Sequence, residues 1–264
     1  MQTLDATVHR LMNKRRTPIV YSPRRLDLRR HARRLKQLVI PTLYYLQKAD
    51  EIKQAVNSLQ EETTTHVQGL AYRVMPGVFA SHNTRTVHLL LPVIVPFAKG
   101  ARVCDMGCGY GLVGLHAKHH GAQYVAAVDI NPTAVSNTEK NVTFHGQNNY
   151  TVYESDCFDR IPRQQFDLIV FNPPFFSYQH SFSASIEKSV HDPGLVTLKK
   201  FLRQAKQFVH KNTLIVIAYS SRCDIAAIET VFGAHGYSWM LWKQANTDAR
   251  YDNRLYALTY PFNR

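Results

Sequence analysis

The stretch Val103-Cys-Asp105-Met-Gly107-Cys-Gly109-Tyr-Gly111-Leu-Val-Gly114 decides the fold of this chain. Its spacing Gly109-x-Gly111-x-x-Gly114 follows an apolar run and precedes a helical one, which predicts a strand, a tight turn and a helix N-terminus whose backbone N–H groups a ligand can approach. The same spacing also fits a dinucleotide-binding fold. Asp105 argues against that alternative because a carboxylate repels pyrophosphate, whereas it attracts a cationic amino-acid ligand.

Short apolar runs alternate with helix-compatible stretches from Ala101 onward. The first five runs are separated by segments long enough for a helix, which indicates βαβ units and a parallel sheet. The last two runs are too close together for a helical crossover, so they predict an antiparallel hairpin at the sheet edge. The strands are predicted near residues 102–105, 124–129, 150–153, 167–171, 213–219, 237–243 and 254–260. The result is an α/β fold with a seven-stranded, mostly parallel, doubly wound sheet.

Acidic residues follow the second and third predicted strands as well. Asp129 ends the second strand, where it can accept hydrogen bonds from both hydroxyls of a ribose. After the third strand, Asp156 can accept from the exocyclic amine of an adenine, although a helix-capping role is the alternative. Because the carboxyl ends of parallel strands meet at one edge of a sheet, we expect these acids to converge with the glycine turn.

The most specific signal is Phe166-Asp-Leu-Ile-Val-Phe-Asn172-Pro173-Pro174-Phe175, in which a buried strand delivers a polar side chain into a rigid turn. An amide or aniline-like nitrogen is a poor nucleophile because its lone pair is delocalised. Acceptance of both its N–H bonds, by the Asn172 side-chain oxygen and the Pro173 carbonyl, would favour the pyramidal geometry that attacks a methyl group. Phe175 would stack on the planar target. The alternative is a plain Asn-Pro turn after a strand.

The glycine turn and the acids that follow it resemble the S-adenosylmethionine (SAM) site of class I methyltransferases. Asn172-Pro-Pro-Phe175 resembles the motif of the amino methyltransferases, which include adenine-N6 enzymes, guanine-N2 enzymes of ribosomal RNA and glutamine-N5 enzymes that modify release factors. The resemblance covers about residues 69–220 and implies a Rossmann-like class I fold, SAM as cofactor and no metal. It implies that catalysis uses Asn172, Pro173, Pro174 and Phe175, and that SAM contacts Asp105, Gly107, Cys108, Gly109, Gly111, Asp129, Ile130, Asn131, Asp156, Cys157, Phe158 and Asn172.

Two segments point to different groups within this resemblance. Residues 75–81 look like the Pro-Gly-Val-Phe-Ser segment of the guanine-N2 enzymes, whereas residues 155–158 and 166–170 are similar to the glutamine-N5 enzymes. Phe175 stands where the glutamine enzymes usually have Tyr, and Phe176 stands where the guanine enzymes usually have His. These residues leave the substrate open between the two groups.

Positive charge is concentrated at the N-terminus. The chain has a net charge of +13, and residues 1–36 hold eleven Lys and Arg against Asp5 and Asp27, which is +9 of that total. Apolar residues at helical spacing predict a basic amphipathic helix over residues 26–39 and a second helix over residues 42–59. Because such a block attracts polyanions, RNA or the ribosome is the expected partner. A solvated charged helix and an organelle-targeting segment are the alternatives.

The sequence divides into a basic helical N-terminal segment, residues 1–65, and a methyltransferase domain, residues 66–264, whose lead-in spans residues 66–100. Around the lead-in we predict a linker over residues 61–68, a short hairpin over residues 69–81 that turns at Pro76-Gly77, and a helix over residues 82–97. The residues at the start of that helix are predicted to cap a loop, with a lid over SAM as the alternative: His82, Asn83, Thr84 and Arg85.

Other polar residues have plain structural interpretations. The cysteines lack paired zinc spacing and are predicted to be reduced core residues: Cys104, Cys108, Cys157 and Cys223. The histidines of the helix after the glycine turn are predicted to form a solvated face: His116, His119 and His120. Reduced cysteines are typical of a cytoplasmic protein, which is the location we expect. No stretch approaches the roughly 18 apolar residues of a membrane span, so we expect no transmembrane segment.

The leading functional hypothesis is SAM-dependent methylation of an exocyclic amino nitrogen on an RNA base, in ribosomal RNA in particular. A protein glutamine amide is the alternative substrate. A small molecule is the third, because residues 176–193 carry no readable signature, although Tyr178, His180, Glu187 and Asp192 are expected to border the substrate pocket. The non-enzymatic alternative is an inactive SAM- or RNA-binding module, against which the intact Asn172-Pro-Pro-Phe175 argues.

Overall fold

The computed structural model describes residues 61–174, 191–221, 223–246 and 252–261, without the side chain of Asn83. The chain divides into two compact units, residues 1–55 and 56–264, and all described residues belong to the second. The following predictions lie outside the described residues: the helices of residues 26–59, and the site residues Phe175, Phe176, Tyr178, His180 and Glu187.

A seven-stranded sheet forms the centre of the second unit, next to a two-stranded hairpin. The hairpin consists of β1 (Thr63–Val67) and β2 (Leu70–Val74). The sheet strands are β3 (Arg102–Met106), β4 (Tyr124–Asp129), β5 (Tyr150–Glu154), β6 (Phe166–Phe171), β7 (Val209–Ser220), β8 (Ser238–Asn246) and β9 (Asp252–Thr259). The described α-helices are α1 (Arg85–Ala98), α2 (Leu112–His119), α3 (Pro132–Phe144), α4 (Val196–Ala205) and α5 (Ile225–Ala234).

The strand order is β5-β4-β3-β6-β7-β9-β8, and β9 runs antiparallel to both β7 and β8. The predicted α/β class with an antiparallel last hairpin is therefore confirmed. The chain moves outward from β3 to β5 and then returns to the other side of β3, where β6 pairs with it. The carboxyl ends of β3 and β6 thus flank a topological switch point, which is where doubly wound sheets bind ligands.

The lead-in turns at a different place from the predicted one. Residues 63–67, predicted as part of a linker, form β1, and the chain reverses at Gln68 and Gly69, whose φ angles are 47° and 82°. This Thr-rich run is polar, which is why a linker was predicted. Threonine is also β-branched, and β-branched residues suit a pleated strand. Pro76-Gly77 instead forms a later turn that leads towards α1.

Two asparagines of α3 join the hairpin to the sheet. The fully buried Asn141 accepts a hydrogen bond from the Arg73 N–H over 2.9 Å and donates to the carbonyls of Arg73 and Tyr110, each over 2.8 Å. Asn137 accepts from the Met75 N–H over 2.8 Å and donates to the Arg73 carbonyl over 2.8 Å. These amides satisfy the backbone of β2 as a neighbouring strand would.

Apolar clusters cover both faces of the sheet, one including Leu90 of α1 and Leu115 of α2, the other including Phe201 of α4 and Phe232 of α5. His116 is buried in this core, so the prediction that it belongs to a solvated face is wrong. The other two histidines of that predicted face, His119 and His120, are exposed. The turn of α2 that packs against the sheet carries His116 inward beside Leu115. Both ring nitrogens of His116 lack hydrogen-bond partners among the described residues, and burial lowers its pKa to about 4.

No disulfide joins the four cysteines, all of which are described; Cys104, Cys108 and Cys157 are buried and Cys223 is partly exposed. Within the described ranges, no group of three or more His, Cys, Asp or Glu side chains is arranged to hold a metal ion. None of the described helices combines the length and apolar character that crossing a membrane requires.

Candidate cofactor and substrate site

A cavity opens at the carboxyl ends of β3, β4, β5 and β6. The predicted site residues that line it are Asp105, Gly107, Cys108, Gly109, Asp129, Ile130, Asn131, Asp156, Cys157, Asn172, Pro173 and Pro174. Gly111 and Phe158 are not among its lining residues. Phe158 instead stacks on Phe208 with ring centroids 4.4 Å apart, so it supports the loop after β5 from the core.

Several backbone N–H groups of the glycine turn donate to acceptors within the protein. The N–H groups of Gly107 and Cys108 donate to the Val128 carbonyl over 2.8 and 2.9 Å. The N–H of Gly114, in the first turn of α2, donates to the Asp105 carboxylate over 2.8 Å. Asp105 therefore takes the place of an anion at this helix N-terminus, which disfavours a pyrophosphate there.

Close packing explains two of the glycines. A Cβ on Gly114 would lie 2.3 Å from the Tyr150 hydroxyl oxygen. Gly111 has a φ of 86°, and a Cβ there would approach Thr138 Cγ2 to 3.0 Å. The glycine turn thus brings α2 close to β3, β4 and β5, and this keeps Asp105 buried beneath the cavity.

Two backbone amides fix Asp129. Its Oδ2 accepts from the Gly109 N–H and its Oδ1 from the Asn131 N–H, each over 2.9 Å, and burial raises its pKa. The Asn131 side chain caps α3 by accepting from the Thr133 N–H over 3.0 Å and donates to the Gly77 carbonyl over 3.2 Å. Each oxygen of Asp129 keeps a second lone pair with which it can accept from a ligand hydroxyl.

Asn172 follows β6 directly and lines the cavity. Its side-chain oxygen is buried and has no hydrogen-bond partner among the described residues. Leaving such an acceptor unpaired costs about 1–3 kcal/mol, so the oxygen is suited to a ligand that supplies a donor. The ring of Phe171 lies 3.6 Å from where a Cβ on Gly107 would stand, which places the Asn172 turn beside the glycine turn.

Residues of the lead-in and of α4 complete the cavity wall. Val78, Phe79 and Ser81 line it, as does Thr197. The resemblance of residues 75–81 to the guanine-N2 enzymes could have indicated that this segment lines the cavity. No feature of the sequence indicates the same for Thr197. The candidate lid residues His82, Thr84 and Arg85 do not line the cavity; the Thr84 hydroxyl closes a turn by donating to the Ser81 carbonyl over 2.7 Å.

Residues 69–237 match the family model of the methyltransferase small domain. The chain belongs to this family. The predicted SAM-dependent methyltransferase is confirmed at this level.

Two of the named relatives represent the two groups of enzymes that the sequence resembles. Ribosomal RNA small subunit methyltransferase C of Chromohalobacter salexigens is 36% identical over 117 residues, 43% of this methyltransferase and 34% of that protein. A protein named provisionally as an N5-glutamine methyltransferase, from Methanocaldococcus jannaschii, is 27% identical over 159 residues, 59% of this chain and 78% of that protein. The chain thus spans about a third of the ribosomal RNA relative.

Solved structures share the fold. A 16S rRNA N2 methyltransferase of T. thermophilus, in complex with AdoMet and guanosine, aligns with a TM-score of 0.54; it is 21% identical, and the alignment covers 75% of this chain and 50% of that chain. A ribosomal protein L11 methylase of Lactobacillus delbrueckii subsp. bulgaricus aligns with a TM-score of 0.52, 18% identity and 72% and 84% coverage.

The chemistry of the cavity fits SAM. The fixed carboxylate of Asp129 suits a pair of ribose hydroxyls, and Asp105 provides negative charge for a cationic amino-acid portion. The side chain of Asn172, whose oxygen has no partner within the described part of the chain, lines the same cavity.

Proposed function

We propose that this methyltransferase transfers a methyl group from SAM to the exocyclic amino nitrogen of a base in RNA, and of ribosomal RNA in particular. The observation that carries the proposal is the buried oxygen of Asn172 on the cavity wall, which has no hydrogen-bond partner among the residues that the structure describes. An amino group attached to a planar ring or carbonyl would supply the donor that this oxygen lacks.

The chain's own residues would activate the target nitrogen by orienting it. The bound cofactor supplies an electrophilic methyl group. Acceptance of the two N–H bonds by the Asn172 oxygen and the Pro173 carbonyl would draw the nitrogen lone pair out of conjugation and direct it at that group. No side chain has to remove a proton first, because the nitrogen becomes acidic only after it carries the methyl group. Phe175 is proposed to stack on the target ring.

Charge and sequence similarity favour an RNA base over the other candidate substrates that carry a planar nitrogen. Residues 1–36 carry +9 of the net charge, which favours a polyanionic partner. The wall residues Val78 and Phe79 belong to the segment that resembles the guanine-N2 enzymes of ribosomal RNA. The ribosomal RNA relative is also more similar over its aligned part, at 36% identity against 27% for the glutamine-named relative.

A protein glutamine amide is the second candidate. It is favoured by the match to the N5-glutamine relative, which extends over 78% of that protein. A glutamine amide offers the same two N–H donors to the Asn172 turn, so the cavity chemistry suits both substrates.

Methyl-labelled SAM separates these candidates. Purified protein is incubated with total RNA or with a protein extract, each from cells that lack the gene so that target sites are unmodified. Label in RNA that disappears with Asn172→Ala would support the proposal, and mass spectrometry of nucleosides would then identify the base. Label confined to the protein fraction would end the RNA proposal in favour of the glutamine candidate.

A further inference from the structure

The loop after β5 is fastened to α4 by two side chains one helical turn apart. The Nζ of Lys200 lies 2.7 Å from Oδ2 of Asp156 and 2.6 Å from Oδ2 of Asp159. Gln204 donates to the other oxygen of Asp159 over 2.6 Å, and its own side-chain oxygen accepts from the Phe158 N–H over 3.0 Å. We name Lys200 and Gln204 the α4 clamp.

The clamp acts on a loop that borders the cavity. Asp156 and Cys157 line the cavity from this loop, and Thr197 lines it from the first turn of α4. That first turn is itself held by the buried carboxylate of Asp192, which accepts from the Thr197 N–H over 2.7 Å and from the Leu198 N–H over 3.1 Å. A rigid helix end and the loop after β5 thus share one wall.

The Asp156 side chain needs such a restraint. It is 45% exposed, and an exposed carboxylate can otherwise change rotamer at little cost in free energy. The Lys200 side chain is only 21% exposed, so the ion pair is less accessible to water than a free surface pair. Lys200 contacts Oδ2 of Asp156, so Oδ1 is the oxygen with which this carboxylate would accept from a ligand.

We propose that Lys200 is a positioning residue for adenine recognition: it holds Asp156 so that the second carboxylate oxygen accepts a hydrogen bond from the adenine amino group of SAM. This inference rests on the proposed role of Asp156 at the adenine. It adds that the selectivity for adenine depends on a residue of α4 and not on the loop after β5 alone.

The test compares the affinity of two ligands, S-adenosylhomocysteine and its 6-deamino analogue, whose purine keeps every ring nitrogen but carries hydrogen at C6. Calorimetry gives both dissociation constants for the full chain and its variants. We expect the unaltered protein to prefer S-adenosylhomocysteine about tenfold, as one hydrogen bond to a charged acceptor provides. In Lys200→Met that preference should fall to about twofold, because S-adenosylhomocysteine binds more weakly while the analogue binds as before.

Three further variants make the result specific. Asp156→Ala should lose the preference as Lys200→Met does, and Lys200→Arg should restore it. The matched control is Lys199→Met, which removes the same charge from the neighbouring residue; Lys199 contacts the Gly194 carbonyl and lies outside the clamp. Thermal unfolding verifies that each variant folds, and Lys200→Gln replaces Lys200→Met if the latter does not.

The inference is overturned if Lys200→Met or its replacement keeps the full preference, or weakens both ligands by the same factor, as a purely structural role predicts. The inference is also overturned if the unaltered protein shows no preference between the two ligands, or if Asp156→Ala keeps the preference. Either result would mean that Asp156 does not bind the adenine amino group. These ligand measurements do not involve the methyl acceptor, so their outcome is independent of whether RNA is the substrate.

Discussion

The carboxylate of Asp105 accepts a 2.8 Å hydrogen bond from the backbone amide of Gly114 beneath the cavity wall. Burial raises the pKa of Asp105 to about 7; the Gly114 bond lowers it and the nearby Asp129 raises it further. The folded state therefore holds this proton more tightly than the unfolded chain. The resulting stabilisation is fully present below pH 3.8 and is lost as the pH rises through about 7.

SAM binding should depend on the ionisation of Asp105. The ammonium group of the cofactor favours the ionised carboxylate, so we expect affinity to rise between pH 6 and pH 7.5, with proton release on binding, and Asp105→Asn to flatten this rise. Calorimetry in buffers of different ionisation enthalpy measures both quantities. Glu139→Gln, at an exposed position of α3, is the control. Identical pH profiles for the unaltered protein and Asp105→Asn would contradict this role.

Asn172→Ala should separate catalysis from cofactor binding. Because the proposed hydrogen bond is to the acceptor nitrogen, we expect kcat to fall by about 10²–10³ while the dissociation constant of SAM changes less than about threefold. Single-turnover methyl transfer and calorimetry measure the two effects. Asn212→Ala, at an exposed position of β7, provides the matched control. Unchanged turnover in Asn172→Ala would rule out the proposed activation of the nitrogen.

Gly114→Ala should destabilise the fold, and Tyr150→Phe should partly restore it. The added Cβ would lie 2.3 Å from the Tyr150 hydroxyl oxygen, so we expect a loss of about 1–3 kcal/mol in the free energy of unfolding. That hydroxyl is buried without a partner among the described residues, so its removal alone should cost little. Urea unfolding of the single and double variants measures the coupling. If the changes in unfolding free energy of the two single variants simply add in the double variant, the Tyr150 hydroxyl is not the group with which the new methyl group clashes.

Local residue chemistry explains how much of this architecture could be predicted. Glycines allow the positive φ angles of the turn after Asp105, and prolines restrict the backbone after Asn172. Parallel strands bring their carboxyl ends together whatever the connecting helices contain. The turn at Gln68 could not be predicted in the same way, because a Thr-rich run suits a linker and a strand equally and only its antiparallel pairing with β2 decides between them. Lys200 is far from Asp156 along the chain, and no spacing rule links an ion pair across two separate elements.

The basic N-terminal residues should dominate the salt dependence of RNA affinity. Each phosphate contact contributes about 0.7 to the slope of log affinity against log salt for single strands, so neutralising Arg29, Arg30, Arg33 and Arg34 should reduce the slope by up to about 3. Filter binding at several salt concentrations measures it. Neutralising two exposed lysines, Lys211 and Lys243, is the control. An unchanged slope in the arginine variant would move the polyanion contact to other residues.

The amides of Asn137 and Asn141 bind the hairpin to α3, and Asn131 at the start of the same helix contacts the carbonyl of Gly77. Opening of the hairpin would therefore remove Val78 and Phe79 from the cavity, so a ligand bound there must oppose that opening by linkage. Deuterium uptake at the Arg73 and Met75 amides should slow when S-adenosylhomocysteine is added. A chain that begins at α1 should therefore bind the methyl donor more weakly, because Val78, Phe79 and Ser81 would be missing from the cavity wall.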